Sequence, residues 1–220
     1  MILGLDTATA ATAVAVLPDA RAPVELRHDP APGERPGHAA ELLPLARRAL
    51  EAAGATFADV RRIGVGVGPG TFTGLRIGVA TARALAQATG AELVAVSTLE
   101  ALAEAAGSEG PVLAVIDARR GEAFAAGYRA GERLAGPVAV GPDELAALAD
   151  PGHGSWLAVG DGAVRFRDRL EPAVDVPADA STLHRASALA VCRLARTAPS
   201  VDRDALLPQY VRAPDAVPRR

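Results

Sequence analysis

Two carboxylates stand at strand ends in this chain, and either could serve phosphate or metal chemistry. Asp6-Thr7-Ala8-Thr9 closes a first apolar strand with a carboxylate and two hydroxyls in a tight turn. Some α/β folds hold a metal–phosphate this way, and many hairpins satisfy their own backbone the same way. Asp117-Ala118-Arg119-Arg120-Gly121-Glu122 is similar, but Arg119 and Arg120 bring two positive charges where a metal site would prefer none. Gly160-Asp161-Gly162, after a later strand, reads as a turn signal.

A third candidate is the string Gly66-Val67-Gly68-Pro69-Gly70-Thr71-Phe72-Thr73-Gly74-Leu75-Arg76-Ile77-Gly78. Ile63 to Val67 reads as a strand, Gly68-Pro69-Gly70 as a sharp turn, and Thr71 or Thr73 as the cap of the helix that follows. Backbone N–H groups at such a helix start can hold an anion. Alternatively, the glycines let the helix lie close to another backbone. Gly74, Gly78 and Ala82 recur every fourth residue as a side-chain-poor ridge, which favours close packing.

Other catalytic equipment is missing. His28, His38, His153 and His184 have no zinc-type spacing, and His38 reads as a helix-start residue with a hydrogen-bonding role. There is no Gly-x-Ser-x-Gly elbow, no lysine-bearing phosphate loop and no His-Glu-x-x-His. All 23 basic residues are arginine, which excludes Schiff-base chemistry. Cys192, the single cysteine, sits among Ala188, Leu189, Val191 and Leu194 and reads as a buried helical thiol.

The elements that must position these residues follow from periodicity. The first hundred residues read as strands at Ile2–Asp6, Ala13–Leu17 and, on an edge, Val24–Arg27. A helix at His38–Ala53, the Ile63–Val67 strand, a helix at Leu75–Thr89, a strand at Glu92–Val96 and a helix at Thr98–Ala106 complete that half. A second start follows: strands at Val112–Ile116, Ala123–Tyr128 and near Pro137–Val140, a helix at Pro142–Ala149, a strand at Trp156–Val159 and a helix over Ala186–Thr197. The repeated order, with Asp6 and Asp117 in equivalent places, predicts an α/β fold of two pseudo-duplicated lobes with mixed sheets flanked by helices. The expected domains are 1–108 and 109–220.

At 220 residues and 50% hydrophobic, the chain can bury a sizeable core of small aliphatic side chains. A net charge of −3 gives no basic footprint for autonomous nucleic-acid binding, and no apolar run reaches membrane-spanning length. The N-terminus enters directly as a strand, so a cytoplasmic protein without a membrane anchor is expected.

At Gly4-Leu5-Asp6-Thr7-Ala8-Thr9, His38, Leu42 to Pro44, the whole Gly66–Gly78 string, Ala82-Arg83-Ala84-Leu85-Ala86, Val96 to Leu102, Ile116-Asp117-Ala118-Arg119 with Gly121-Glu122, and Pro208-Gln209-Tyr210-Val211-Arg212, the chain resembles the TsaB (YeaZ) family. The resemblance runs nearly the full length. It implies the ASKHA (actin-like, ribonuclease H-like) fold and a non-catalytic subunit, without cofactor or metal. Such a subunit pairs with its paralogue TsaD, with a TsaE-type ATPase docking on the pair, to place threonylcarbamoyl on N6 of the adenosine 3′ to the anticodon in tRNAs reading ANN codons. TsaD-type proteins carry Asn-His-x-Glu-Gly-His where this chain has Ser97-Thr98-Leu99-Glu100-Ala101-Leu102, so Thr98 and Leu102 replace both metal histidines. The competing readings are an autonomous ASKHA kinase or carbamoyltransferase using Asp6 and Asp117, and a metallopeptidase.

The first helix has more apolar residues than one core face needs. The expected partner surface is therefore Leu42, Leu45, Arg48 and Leu50 with Gly74, Leu75, Gly78 and Ala82, supporting a heterodimer and a possible homodimer. Asp6, Thr7, Gly68, Pro69, Gly70, Thr71, Thr73 and Arg76 are expected to be structural, and tRNA to be reached only through the complex.

Overall fold

The computed structural model describes residues 1–31, 33–171 and 173–211. Period-2 alternation builds the first sheet. Strands β1 (Ile2–Asp6), β2 (Thr12–Leu17) and β3 (Val24–His28) form an antiparallel meander, and β4 (Arg62–Gly68) and β5 (Glu92–Ser97) join it in parallel, giving the order β3-β2-β1-β4-β5. Leu3, Leu5, Val14, Val16, Ile63 and Val65 point to one face, where helices α1 (His38–Ala52) and α2 (Phe72–Thr89) cover them. Ile2, Ala13, Ala15, Val94 and Val96 point to the other.

The second sheet repeats the plan. Strands β6 (Val112–Arg119), β7 (Glu122–Arg129), β8 (Glu132–Val140) and β9 (Leu157–Val159) take the order β8-β7-β6-β9, which matches β3-β2-β1-β4 strand for strand. Asp6 and Asp117 therefore occupy the same end of equivalent strands.

The sequence division at 108/109 separates the two sheets but not their helices. Helix α3 (Thr98–Ala106) puts Leu99 and Leu102 into the core of the second sheet. Helix α6 (Ala188–Thr197) puts Ala188, Val191, Cys192 and Ala195 against the underside of the first. Gly4 makes that contact possible, since a Cβ there would come within 2.7 Å of Cys192 Sγ. Arg62 fixes the far end of α6 by donating to the carbonyls of Ala195, Arg196 and Ala198 at 2.6, 3.0 and 3.1 Å.

Several elements differ from what the sequence predicts. The Gly-rich string's helix starts at Phe72, not Leu75, with Thr71 at the N-cap position. The helix expected at Pro142–Ala149 is a string of 3-10 turns, Pro142–Glu144, Ala146–Leu148 and Pro151–His153. Two short helices, α4 (Asp161–Arg165) and α5 (Arg167–Leu170), follow Gly160 where only a turn was read. Arg212 lies outside the described residues, and among those residues no helix is long and apolar enough to cross a membrane.

Candidate functional site

The Asp6 turn is sealed inside the first lobe. Asp6 is 1% exposed, and its Oδ1 accepts the Ala8 N–H at 3.0 Å. Its Oδ2 has no hydrogen-bond partner, nor has Thr98 Oγ1, and both border the place where a Cβ on Gly66 would lie. Burial pushes the Asp6 carboxyl up to about 6, against the opposing pull of its Ala8 hydrogen bond and of Arg27. Burial thus makes this carboxyl harder to ionise than an exposed aspartate.

Asp117 is neutralised differently. Its Oδ2 pairs with Arg165 at 2.9 Å and Arg119 at 3.4 Å, while Oδ1 accepts the Arg119 N–H at 2.8 Å. The Asp117 N–H in turn donates to Asp161 Oδ1 at 3.0 Å, and burial raises the pKa of Asp161. Asp161 is thus a polar member of this cluster that sequence reading took for a turn; only its place after a strand equivalent to β4 could have signalled it. The turn itself runs left-handed through Arg119 (φ 65°), Arg120 (φ 56°) and Gly121 (φ 82°), which aims the Arg119 side chain back at Asp117.

Between the two strand ends lies a cavity of about 190 Å³ lined by Thr9, Arg27, Asp29, Asp161, His184 and Arg185, among others. Its polar groups are largely spent on one another. Arg27 grips Asp29 through two 2.7 Å bonds, which holds the Asp29 carboxyl below its usual range, and the two ring nitrogens of His184 contact the carbonyls of Gly160 and Pro177. Among the described residues no group of three or more His, Cys, Asp or Glu is placed to hold a metal.

The Gly-rich turn is tied directly to the Asp6 turn. Thr71 N–H donates to the Ala8 carbonyl at 2.7 Å, and Thr7 Oγ1 donates to the Gly74 carbonyl at 2.7 Å. A Cβ at Gly70 would strike Ala8, one at Gly74 the Thr7 carbonyl, and one at Gly78 would come within 2.5 Å of Thr7 Oγ1. The ridge therefore packs inward on the Asp6-Thr7-Ala8 turn, and Gly68 and Pro69 carry the chain around it.

This geometry corrects most of the expected partner surface. Leu42, Leu45, Leu50 and Leu75 are at most 3% exposed and lie in the first lobe's own core, while Gly74, Gly78 and Ala82 face β1 and β4. Each side chain is already packed, so none can anchor a second protein. Arg48 does face solvent, as do Leu43, Pro44 and Arg47 on α1 and Thr73, Arg76, Ala80 and Ala84 on α2. His38 plays the expected role at the start of α1: its Nδ1 shares a 2.8 Å hydrogen bond with Thr12 Oγ1. Cys192 is fully buried, and desolvation pushes its thiol up to about 12.

A further cluster joins parts far apart in sequence. Arg76 Cζ lies 3.7 Å from the Phe72 ring centroid, Phe72 and Tyr210 stack at 5.5 Å and 24°, and Arg76 Nε donates to the Tyr210 hydroxyl at 3.1 Å. Arg76 was read as structural and Tyr210 only as part of a closing signature; no local periodicity links residues so distant.

Comparison with known proteins agrees with this architecture. The family model for TsaD, described as tRNA N6-adenosine threonylcarbamoyltransferase, matches residues 34–166. The Escherichia coli tRNA threonylcarbamoyladenosine biosynthesis protein TsaB is 33% identical over 169 residues, 73% of this chain and 71% of that protein. YeaZ from Pseudomonas aeruginosa superposes with a TM-score of 0.79 at 32% identity, covering 95% of this chain and 98% of that one. The ethanolamine utilization protein EutJ from Carboxydothermus hydrogenoformans shares the fold alone, with a TM-score of 0.50 at 17% identity over 86% and 89% of the two chains. Two topologically matched lobes, a Gly-rich turn folded onto the Asp6 turn and these matches together establish that the chain has the ASKHA fold and belongs to the TsaB (YeaZ) family.

Proposed function

We propose that this chain is a non-catalytic scaffold and activating subunit in tRNA threonylcarbamoyladenosine synthesis. It pairs in the cytoplasm with a TsaD paralogue that performs the transfer, and a TsaE-type ATPase docks on the pair. Family membership supports the pathway, as does the biosynthetic role in the name of the E. coli relative. The observation that carries the non-catalytic reading is the fate of Thr98 and Leu102. At the positions where TsaD-type proteins place two metal histidines, these side chains are 0% and 1% exposed and belong to the chain's own packing.

The partner face is the solvent side of α1 and α2 rather than their buried side. Leu43, Pro44, Arg47 and Arg48 are exposed on α1, which contacts α2, and on α2 the exposed Arg76, Ala80 and Ala84 share one stripe by their spacing of four. Small residues at Ala80 and Ala84 permit close approach of another helix. Because paralogous lobes present equivalent surfaces, a homodimer through this face competes with the heterodimer.

Reconstitution tests the reading. Transferase, ATPase, tRNA and the activated threonylcarbamoyl donor should give modified adenosine only when this chain is added. The chain alone should neither modify tRNA nor hydrolyse ATP. Turnover by the isolated chain above roughly one per minute, abolished in Asp6→Ala, would instead favour an autonomous enzyme; typical enzymes run at about 10 per second.

A further inference from the structure

The Phe72–Arg76–Tyr210 cluster has a geometry that the fold does not require. Tyr210 is held in place by the main chain: Leu206 is buried in the first lobe's core, and Gln209 N–H donates to the Val67 carbonyl at 2.7 Å. From that anchor Tyr210 stacks on Phe72 and accepts the Arg76 Nε–H, while the Phe72 face lies against the guanidinium carbon. The guanidinium plane is thus set by two rings. Among the described residues its two terminal nitrogens have no acceptor and no carboxylate pairs with it. The nearby cation on the same helix is already used, since Arg83 binds Asp204 at 2.8 Å.

The surroundings are apolar and open. Phe72 is 47% exposed and Tyr210 39%, two of the four large hydrophobic side chains exposed among the described residues. An ordered arginine bordered by exposed aromatic surface is the composition of a protein-interface hot spot. A planar guanidinium with both terminal groups free matches a carboxylate bidentately. A polyphosphate backbone would draw on several cations together, and the chain as a whole is acidic at −3.

We propose that Arg76, fixed by Phe72 and Tyr210, is a carboxylate receptor: the docking point for an Asp or Glu of the partner subunit that sits beside an apolar side chain. This rests on the proposed role as a subunit and adds a polar specificity contact at one end of the α2 stripe. Pre-organisation is what distinguishes it from an ordinary surface arginine, because the side chain is already ordered before the partner arrives.

Two measurements test it. The first is calorimetric affinity of the full chain for the TsaD-type paralogue from the same source. Arg76→Gln should weaken binding by about 30-fold and Arg76→Glu further, with Arg76→Lys intermediate, at unchanged melting temperature. Tyr210→Phe should cost a few-fold by releasing Nε, and the salt dependence of binding should flatten in Arg76→Gln. Wild-type affinity in Arg76→Gln and Arg76→Glu overturns the receptor. Failure of the wild-type chain to bind the paralogue overturns the proposed function instead, and the second measurement then decides the receptor alone. In that measurement, acetyl-Phe-Glu-Leu-amide at millimolar concentration should shift the Arg76 side-chain N–H resonances by NMR, and the Gln analogue should not. No shift with the Glu peptide, or a stronger shift with a tRNA anticodon stem-loop, overturns it.

Discussion

Thr7 and Gly74 are bound to each other across the first lobe: the Thr7 hydroxyl donates to the Gly74 carbonyl at 2.7 Å, and no Cβ at Gly74 would clear the Thr7 carbonyl. The first two turns of α2 thereby rest directly on the end of β1, with Gly78 against the same threonine.

Gly78→Leu is therefore a stability variant. Overpacking against Thr7 should cost about 1–3 kcal/mol and lower the melting temperature by several degrees. A variant that melts like wild type yet fails to bind the paralogue would return the ridge to the interface.

The outer face behaves oppositely. Leu43→Glu and Arg48→Glu change solvent-exposed side chains and should leave the melting temperature within about 1–2 °C of wild type, since exposed substitutions are worth about 0.5 kcal/mol or less. Each should weaken the complex with the TsaD-type paralogue by about tenfold or more, as loss of a central interface contact does. Unchanged affinity in both variants would move the interface off α1.

Asp6 gives stability a pH dependence of known sign. Its folded pKa of about 6 exceeds the ordinary 3.8, so the folded state holds the proton more tightly than the unfolded chain. The resulting stabilisation is fully present below about pH 4 and is lost as pH rises through about 6, on the order of 3 kcal/mol in total. Asp6→Asn cannot ionise, so its melting temperature should gain on wild type between pH 4 and pH 7. Parallel curves over that range would mean that the carboxyl is not desolvated as described.

Isolated chain and tRNA should associate only at the non-specific level, with Kd about 10⁻⁴ to 10⁻⁶ M at physiological salt. Filter binding or fluorescence anisotropy measures this directly. Sub-micromolar affinity would point to a basic surface that the net charge conceals.

Much of the fold was legible because small apolar residues alternate strictly. Leu3 and Leu5 against Ile2 and Gly4, and Val14 and Val16 against Ala13 and Ala15, put large and small side chains on opposite faces. Site assignment was harder, since spacing reports that a face is smooth or apolar without saying what meets it. The Gly74, Gly78, Ala82 row correctly signalled close approach, but the approaching backbone is Thr7, distant in the chain. On α1, Leu43 and Leu45 flank Pro44 and look alike in sequence; Leu45 lies three residues after Leu42 on the buried side, and Leu43 is turned out to 48% exposure. Asp161 and the Tyr210 contact were invisible because both depend on tertiary partners.

The swap of helices between the halves also governs how the protein is made. Residues 1–108 contain every strand of the first sheet, yet its underside, with Ile2, Ala13, Ala15, Val94 and Val96, is covered only in part by Ala101 of α3 until α6 is added. A nascent chain must therefore carry a partly uncovered apolar sheet face until residues 188–197 have been made. Its contacts are dominated by partners far apart in sequence, which slows folding and leaves the intermediate open to aggregation or chaperone capture. Expressed without α6, residues 1–108 would leave part of that sheet's underside exposed to water.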